Sequence, residues 1–154
     1  MQLIKRFTLF SLLFLVVLST VGCKEDDPNT FMKYLDKAYK NYNAKKFEKF
    51  IKHFDPSVKG EGQDFTNYNQ IINFYRKFIL DGSLGGVDLE FYQAEKQGEF
   101  IVADYKEVIT YYKDGKRHQV ERVLRVWVKP LGKNFKVYKV KVLKIPEGAG
   151  TPLF

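Results

Sequence analysis

Cys23 is the only cysteine among 154 residues, so its thiol has no partner for an intramolecular disulfide and no companions for a cysteine metal site. Covalent modification is what a lone thiol of this kind is left to do. The chain's two histidines, His53 and His118, are not spaced with carboxylates as a ligand set, and no metal or other cofactor is expected. No glycine-rich phosphate loop runs from a strand into a helix, and no nucleophile elbow is present.

A second group of candidate residues is cationic. From Tyr105 to Ile145 there are twelve Lys or Arg against three acids, whereas Ile79 to Asp104 holds six acids and one Lys. The basic excess therefore belongs to the C-terminal half. With side chains alternating at period two, Val123, Arg125, Trp127 and Lys129 share one face and Leu124, Val126 and Val128 the other; Lys139 and Lys141 likewise oppose Tyr138, Val140 and Val142. Arg125, Trp127, Lys139 and Lys141 then make a basic, aromatic outer surface suited to an anionic partner. A merely solvated sheet face is the plainer reading of the same pattern.

Cys23 closes a leader. Lys5 and Arg6 form a positive start, and Phe7 to Gly22 is an uncharged, mostly apolar run ending in Ser19-Thr20-Val21-Gly22. That is the build of a cleaved signal peptide. An uncleaved membrane helix is the alternative, but about 16 residues at ~1.5 Å each reach only ~24 Å, short of a ~30 Å hydrocarbon core. Loss of the leader removes two positive charges from a formal +8 and leaves +6.

The segment Val21-Gly22-Cys23, with Thr20 ahead of it, resembles the lipobox of bacterial lipoproteins, in which Leu is commoner at the position of Thr20. The resemblance implies cleavage before Cys23, a diacylglycerol on its thiol and a further acyl chain on the new amine, a palmitate-type anchor of several chains. Lys24-Glu25-Asp26-Asp27 is similar to the lysine-plus-acids signal by which lipoproteins of the Bacteroidota type reach the cell surface, and it also serves as a solvated linker. By the same analogy, the lack of Asp directly after Cys23 points to the outer membrane. Export removes nucleic acid as a partner.

The elements that must hold any site follow from Phe31. Phe31, Leu35, Ala38 and Tyr42 have helical spacing, with Asn29 or Thr30 as cap and an end near Asn43. A second helix carries Phe47, Phe50, Ile51 and Phe54 until Asp55-Pro56 stops it. A loop containing Gly60 and Gly62 precedes a third helix over Tyr68 to Leu80, which buries Ile71, Phe74, Tyr75 and Phe78 and closes at Asp81-Gly82. Period two then governs Val87 to Ala94, Phe100 to Tyr112, His118 to Lys129 and Phe135 to Ile145, with turns at Lys96-Gln97-Gly98, Asp114-Gly115 and Leu131-Gly132-Lys133-Asn134. The class is α+β, three N-terminal helices packed on a curved four-stranded antiparallel sheet. The chain divides into a leader 1–22, a lipidated N-terminus and linker 23–30, one domain 31–145 and an irregular tail 146–154.

This order of elements, with the aromatic-rich stretch Tyr39 to Phe54, resembles the nuclear transport factor 2-like superfamily, the cystatin-like cone shared by ketosteroid isomerases, polyketide cyclases and many small bacterial lipoproteins. The resemblance implies a pocket between helices and sheet in which enzymes place a carboxylate or an Asp and His pair. The residues that answer to it are His53, Asp55, Tyr75, Asp104 and Glu107, none of which falls in a family catalytic motif. For His53 a helix C-terminus is the plainer setting, and for Asp55 a turn before Pro56. The expectation is an outer-membrane lipoprotein that is not an enzyme and binds a small ligand, an anionic envelope polymer or an envelope protein. An enzyme of the ketosteroid isomerase or polyketide cyclase type is the alternative.

Overall fold

The computed structural model describes residues 27–62, 65–132 and 134–144. The leader, Cys23 to Asp26, Ile145 and the tail lie outside them. Helix α1 (Pro28–Asn43) starts earlier than a cap at Asn29 or Thr30 would place it, because Asp27 is its cap: the Asp27 carboxylate accepts the Asn29 amide at 3.0 Å, and proline follows at the first helical position. Phe31, Leu35, Ala38 and Tyr42 are all buried, joined by Tyr39. The second helix is short: α2 spans Phe47–Ile51, and the chain turns out of it before Asp55-Pro56.

Phe54–Glu61 is a strand, β1, and not the end of a helix followed by a loop. It lies parallel to β5 (Asn134–Lys144), with Phe54 opposite Val137 and Lys59 to Glu61 opposite Lys139 to Lys141. The register slips between those two stretches, which is where Pro56 removes a donor. The Asp55 carboxylate accepts both the amide and the hydroxyl of Ser57 there, an Asx turn within the strand.

Helix α3 (Tyr68–Leu80) has the expected bounds and buries Ile71, Tyr75 and Phe78, with Ile72 also buried and Phe74 only partly so. Asn67 caps it by accepting the Gln70 amide, and Gly82 leaves it at φ +67°. The antiparallel meander then runs β2 (Leu84–Gln97), β3 (Phe100–Lys113), β4 (Lys116–Leu131) and β5. Asp114 and Gly115 both have positive φ, the geometry of a tight hairpin whose twist suits the strands it joins. The sheet is thus five-stranded and mixed, in the order β1-β5-β4-β3-β2, where four antiparallel strands were expected.

The helices cover one face of this sheet, and the core lies between. Ile101, Ala103, Tyr105 and Ile109 of β3, Leu124, Val126 and Val128 of β4 and Phe135, Val137 and Val140 of β5 point into it. One bulge alters a predicted face. Trp127 pairs with Lys139 but Val128 with Val137, so Tyr138 is the extra residue; it meets Phe100 edge to face on the outer side, with Lys139 and not opposite it.

Candidate functional site

Among the described residues, the chemistry inside the core centres on one carboxylate. Glu107 and Arg122 are directly opposed on β3 and β4, both facing the helices. Glu107 is 0% exposed and Arg122 5%. Arg122 donates to Glu107 Oε1 through Nε at 3.1 Å and also through Nη2. The other oxygen, Oε2, accepts the hydroxyls of Tyr39 from α1 and Tyr75 from α3, each at 2.7 Å. Tyr42 fixes α3 against α1 by donating to the Tyr75 carbonyl at 2.7 Å.

The protons can be assigned by count. A tyrosine hydroxyl carries one, and those of Tyr39 and Tyr75 go to Oε2, so the 2.9 Å approach of the two hydroxyl oxygens is a contact enforced by a shared acceptor. Tyr105, 3.2 Å from Tyr39, gives its proton to the Tyr39 oxygen, and Arg122 Nη2 gives one to the Tyr75 oxygen at 3.3 Å. Both lone pairs of each carboxylate oxygen are used. The guanidinium plane lies against Phe74, 3.8 Å from its centroid, and Phe65, at 4.5 Å. A general base needs a lone pair aimed at a substrate proton, and Glu107 has none left.

Burial and the neighbouring Glu107 charge raise the pKa of Tyr39, Tyr75 and Tyr105, so the three hydroxyls stay protonated as donors. Burial opposes the Arg122 charge, but Glu107 and the adjacent hydroxyls outweigh it and hold the guanidinium above its ordinary value.

The outer face carries a second set of pairs. Arg125 grips both oxygens of Asp104 with 2.7 Å bonds, and Gln93 donates to the same carboxylate at 2.8 Å. The Arg125 fork holds the Asp104 carboxyl below its usual range. Lys139 and Lys141 both reach Glu61 on β1, and the Lys139 ammonium sits 4.7 Å from the Trp127 ring centroid. The structure brings Arg125, Trp127, Lys139 and Lys141 onto one face and sets two carboxylates among the three cations.

No family model matches the chain, and no curated protein sequence matches it. Solved structures do. A protein from Cytophaga hutchinsonii, described as nuclear transport factor 2-like, aligns at TM-score 0.59 and 12% identity over 78% of this chain and 99% of that one. A Nostoc punctiforme protein of unknown function, described as cystatin-like in fold, aligns at 0.56 and 11% over 80% and 94%. The beta subunit of a benzoate 1,2-dioxygenase from Burkholderia mallei aligns at 0.57 and 9% over 75% and 89%.

The fold is nuclear transport factor 2-like.

Within this nuclear transport factor 2-like cone, the candidates separate. Tyr75 and Glu107 meet at its centre, whereas Asp104 faces outward and Asp55 caps the turn in β1. His53 lies at the edge: Tyr34 donates its hydroxyl to the Phe135 carbonyl and so must accept from His53 Nδ1, 2.5 Å away. It sits just past the end of α2, as expected, with its amide donating to the Phe50 carbonyl at 3.1 Å. Burial, then Lys136 and Lys37, bring the imidazole down to about 4. Among the described residues there is no cluster of three His, Cys, Asp or Glu that suits a metal, and no helix long and apolar enough to cross a membrane. Cys23 and Lys24 to Asp26 fall outside the described residues, while Asp27, the last of the predicted export signal, caps α1.

Arg122, Tyr39 and Tyr105 were not singled out in the sequence. Arg122 is counted there only as part of the basic excess. The signal that identifies it is the Asp114-Gly115 turn, from which Glu107 and Arg122 are equally distant along their strands.

Proposed function

We propose that the chain is an envelope lipoprotein, held in the outer membrane by lipid on Cys23 and displayed on the cell surface, whose domain binds an envelope partner on its exterior and does not catalyse. The anchor rests on the leader, the lone cysteine that ends it and Lys24-Glu25-Asp26-Asp27 behind it. The observation that carries the non-catalytic part is Glu107: the cone's inner carboxylate spends every lone pair on Arg122, Tyr39 and Tyr75. An isomerase-like or cyclase-like reaction would have to break that network to recruit a base. With aromatic side chains packed around the same carboxylate, a protein or polymer on the outside is a better fit than a small ligand at the centre.

An anionic polymer on the Arg125, Trp127, Lys139 and Lys141 face would compete with Asp104 and Glu61, and it would bind through the aromatic ring and the single surplus charge. The reading is tested by Cys23→Ser, which is expected to abolish labelling by a fatty-acid probe and release the protein from membranes. Continued labelling overturns the anchor. The binding mode is tested by native mass spectrometry of the purified protein: a co-purifying small molecule that disappears in Glu107→Gln would replace surface binding with an occupied cone.

A further inference from the structure

The end of the domain nearest Cys23 carries an exposed leucine among lysines. Asp27, the cap of α1, comes four residues after Cys23, so a fully extended chain keeps the anchor within ~14 Å of that cap. Phe31 and Tyr34 in the first turns of α1 pack on Phe135, with ring centroids 5.5 and 4.9 Å apart. Those contacts place the β4–β5 hairpin tip beside the chain's point of entry. At that tip Leu131 is 46% exposed.

Cations gather around it. Lys129 and Lys136 are opposed across the hairpin, a like-charge pairing that a sheet ordinarily avoids. Lys129 has Glu99 as partner at 2.6 Å, and Lys136 donates to the Lys52 carbonyl and has Asp55 nearby. Lys37 lies one turn along α1 from Tyr34, whose hydroxyl meets His53, and Lys136 bonds the carbonyl of Lys52 next to His53, so both flank the same edge. Lys37 and Lys52 are themselves exposed.

We infer that this end, with Leu131 at its tip and Lys37, Lys52 and Lys136 around it, rests on the membrane and contacts anionic phospholipid headgroups. The inference relies on the proposed anchor at Cys23 and adds an orientation to it. An exposed leucine ringed by lysines suits the interface, where the apolar side chain enters the headgroup boundary and ammonium groups meet phosphates. The opposite end also exposes apolar residues, Tyr112 at 52% and Leu80 at 76%. It is the length of β4 away from Leu131, since Tyr112 pairs with Arg117 near the start of that strand. The anchor therefore selects between the two ends.

Once lipid occupies Cys23, a cysteine introduced at Leu131 is the only free thiol of the full chain. The lipidated Leu131→Cys protein, carrying a fluorescent dye, is reconstituted in phosphatidylglycerol or phosphatidylcholine vesicles with spin-labelled lipid as quencher. Tyr112→Cys is the matched control. Quenching at 131 is expected to exceed that at 112 by about two-fold or more in phosphatidylglycerol, and to shrink in phosphatidylcholine. Lys37→Glu, Lys52→Glu and Lys136→Glu together should bring it to the level of the control. Equal quenching at both sites, stronger quenching at 112, or no difference between the two lipids overturns the orientation. The protein's mass, read on the same preparation, separates the two failures: lipid present without the contrast rejects the orientation alone, and lipid absent rejects the anchor with it.

Discussion

Glu107 and Arg122 show how a buried ion pair is tolerated in a core of aromatic rings. Taking both charges out of water costs several kcal/mol, and the pair endures because every oxygen of the carboxylate is met by a donor. Removing one partner is therefore much worse than removing both. Glu107→Ala strands the guanidinium between Phe65 and Phe74 and is expected to lower stability by about 3–5 kcal/mol in urea unfolding. Glu107→Leu combined with Arg122→Met should recover most of that loss, because the Tyr39 and Tyr75 hydroxyls, already 2.9 Å apart, can then bond to each other. A double variant as unstable as the single one would show that shape, not charge, governs the site. The pair was legible in principle: the Asp114-Gly115 turn sets a register that places Glu107 against Arg122 and Asp104 against Arg125. Alternation then sends the first pair inward and the second outward. Tyr39 and Tyr105 were not legible in the same way, since their meeting depends on how α1 lies across the sheet.

At the scale of elements, α3 and the three hairpins follow from local signals, apolar residues at helical spacing, glycines in left-handed turns and period-two strands, and the structure keeps them. β1 has no such signal. Pro56 and Gly60 are poor strand residues, and the pairing that makes the segment a strand is parallel and joins it to β5, some eighty residues on. Gly60 is there for close approach. A Cβ at that position would lie 1.3 Å from the Phe65 carbonyl oxygen, and the Gly60 amide donates to Thr66 at 2.9 Å. Because backbone and not a flexible side chain stands in the way, Gly60→Ala is expected to cost about 3 kcal/mol, the upper end of ordinary overpacking. Thermal unfolding checks the loss, and faster amide exchange in Lys59 to Glu61 than in β3 would locate it at this edge. An unchanged Tm would mean that β1 moves aside freely, contrary to its buried Phe54 and Val58.

For the whole molecule, the outward charge pattern and the anchor have to be read together. Part of the basic excess of the C-terminal half is answered in space: Arg125 by Asp104, Lys139 and Lys141 by Glu61, Lys129 by Glu99 and Lys106 by Glu121. Counting charges along the chain missed this, because Asp104 and Glu99 come from the acidic stretch before Tyr105 and Glu61 from further back, and only folding brings them to the basic strands. The same care applies to the predicted export signal, whose last residue has a structural duty. Asp27 caps α1, and replacing it by Ala is expected to cost about 1 kcal/mol of stability while leaving lipidation and display intact. Replacing Lys24, Glu25 and Asp26 by Ala with Asp27 retained should do the reverse, preserving Tm and lipid but hiding the protein from protease added to intact cells. If the Asp27→Ala protein is hidden and the triple variant is displayed, display depends on the folded start of α1 and not on the charges behind Cys23; if all forms are cleaved alike, the segment is only a linker.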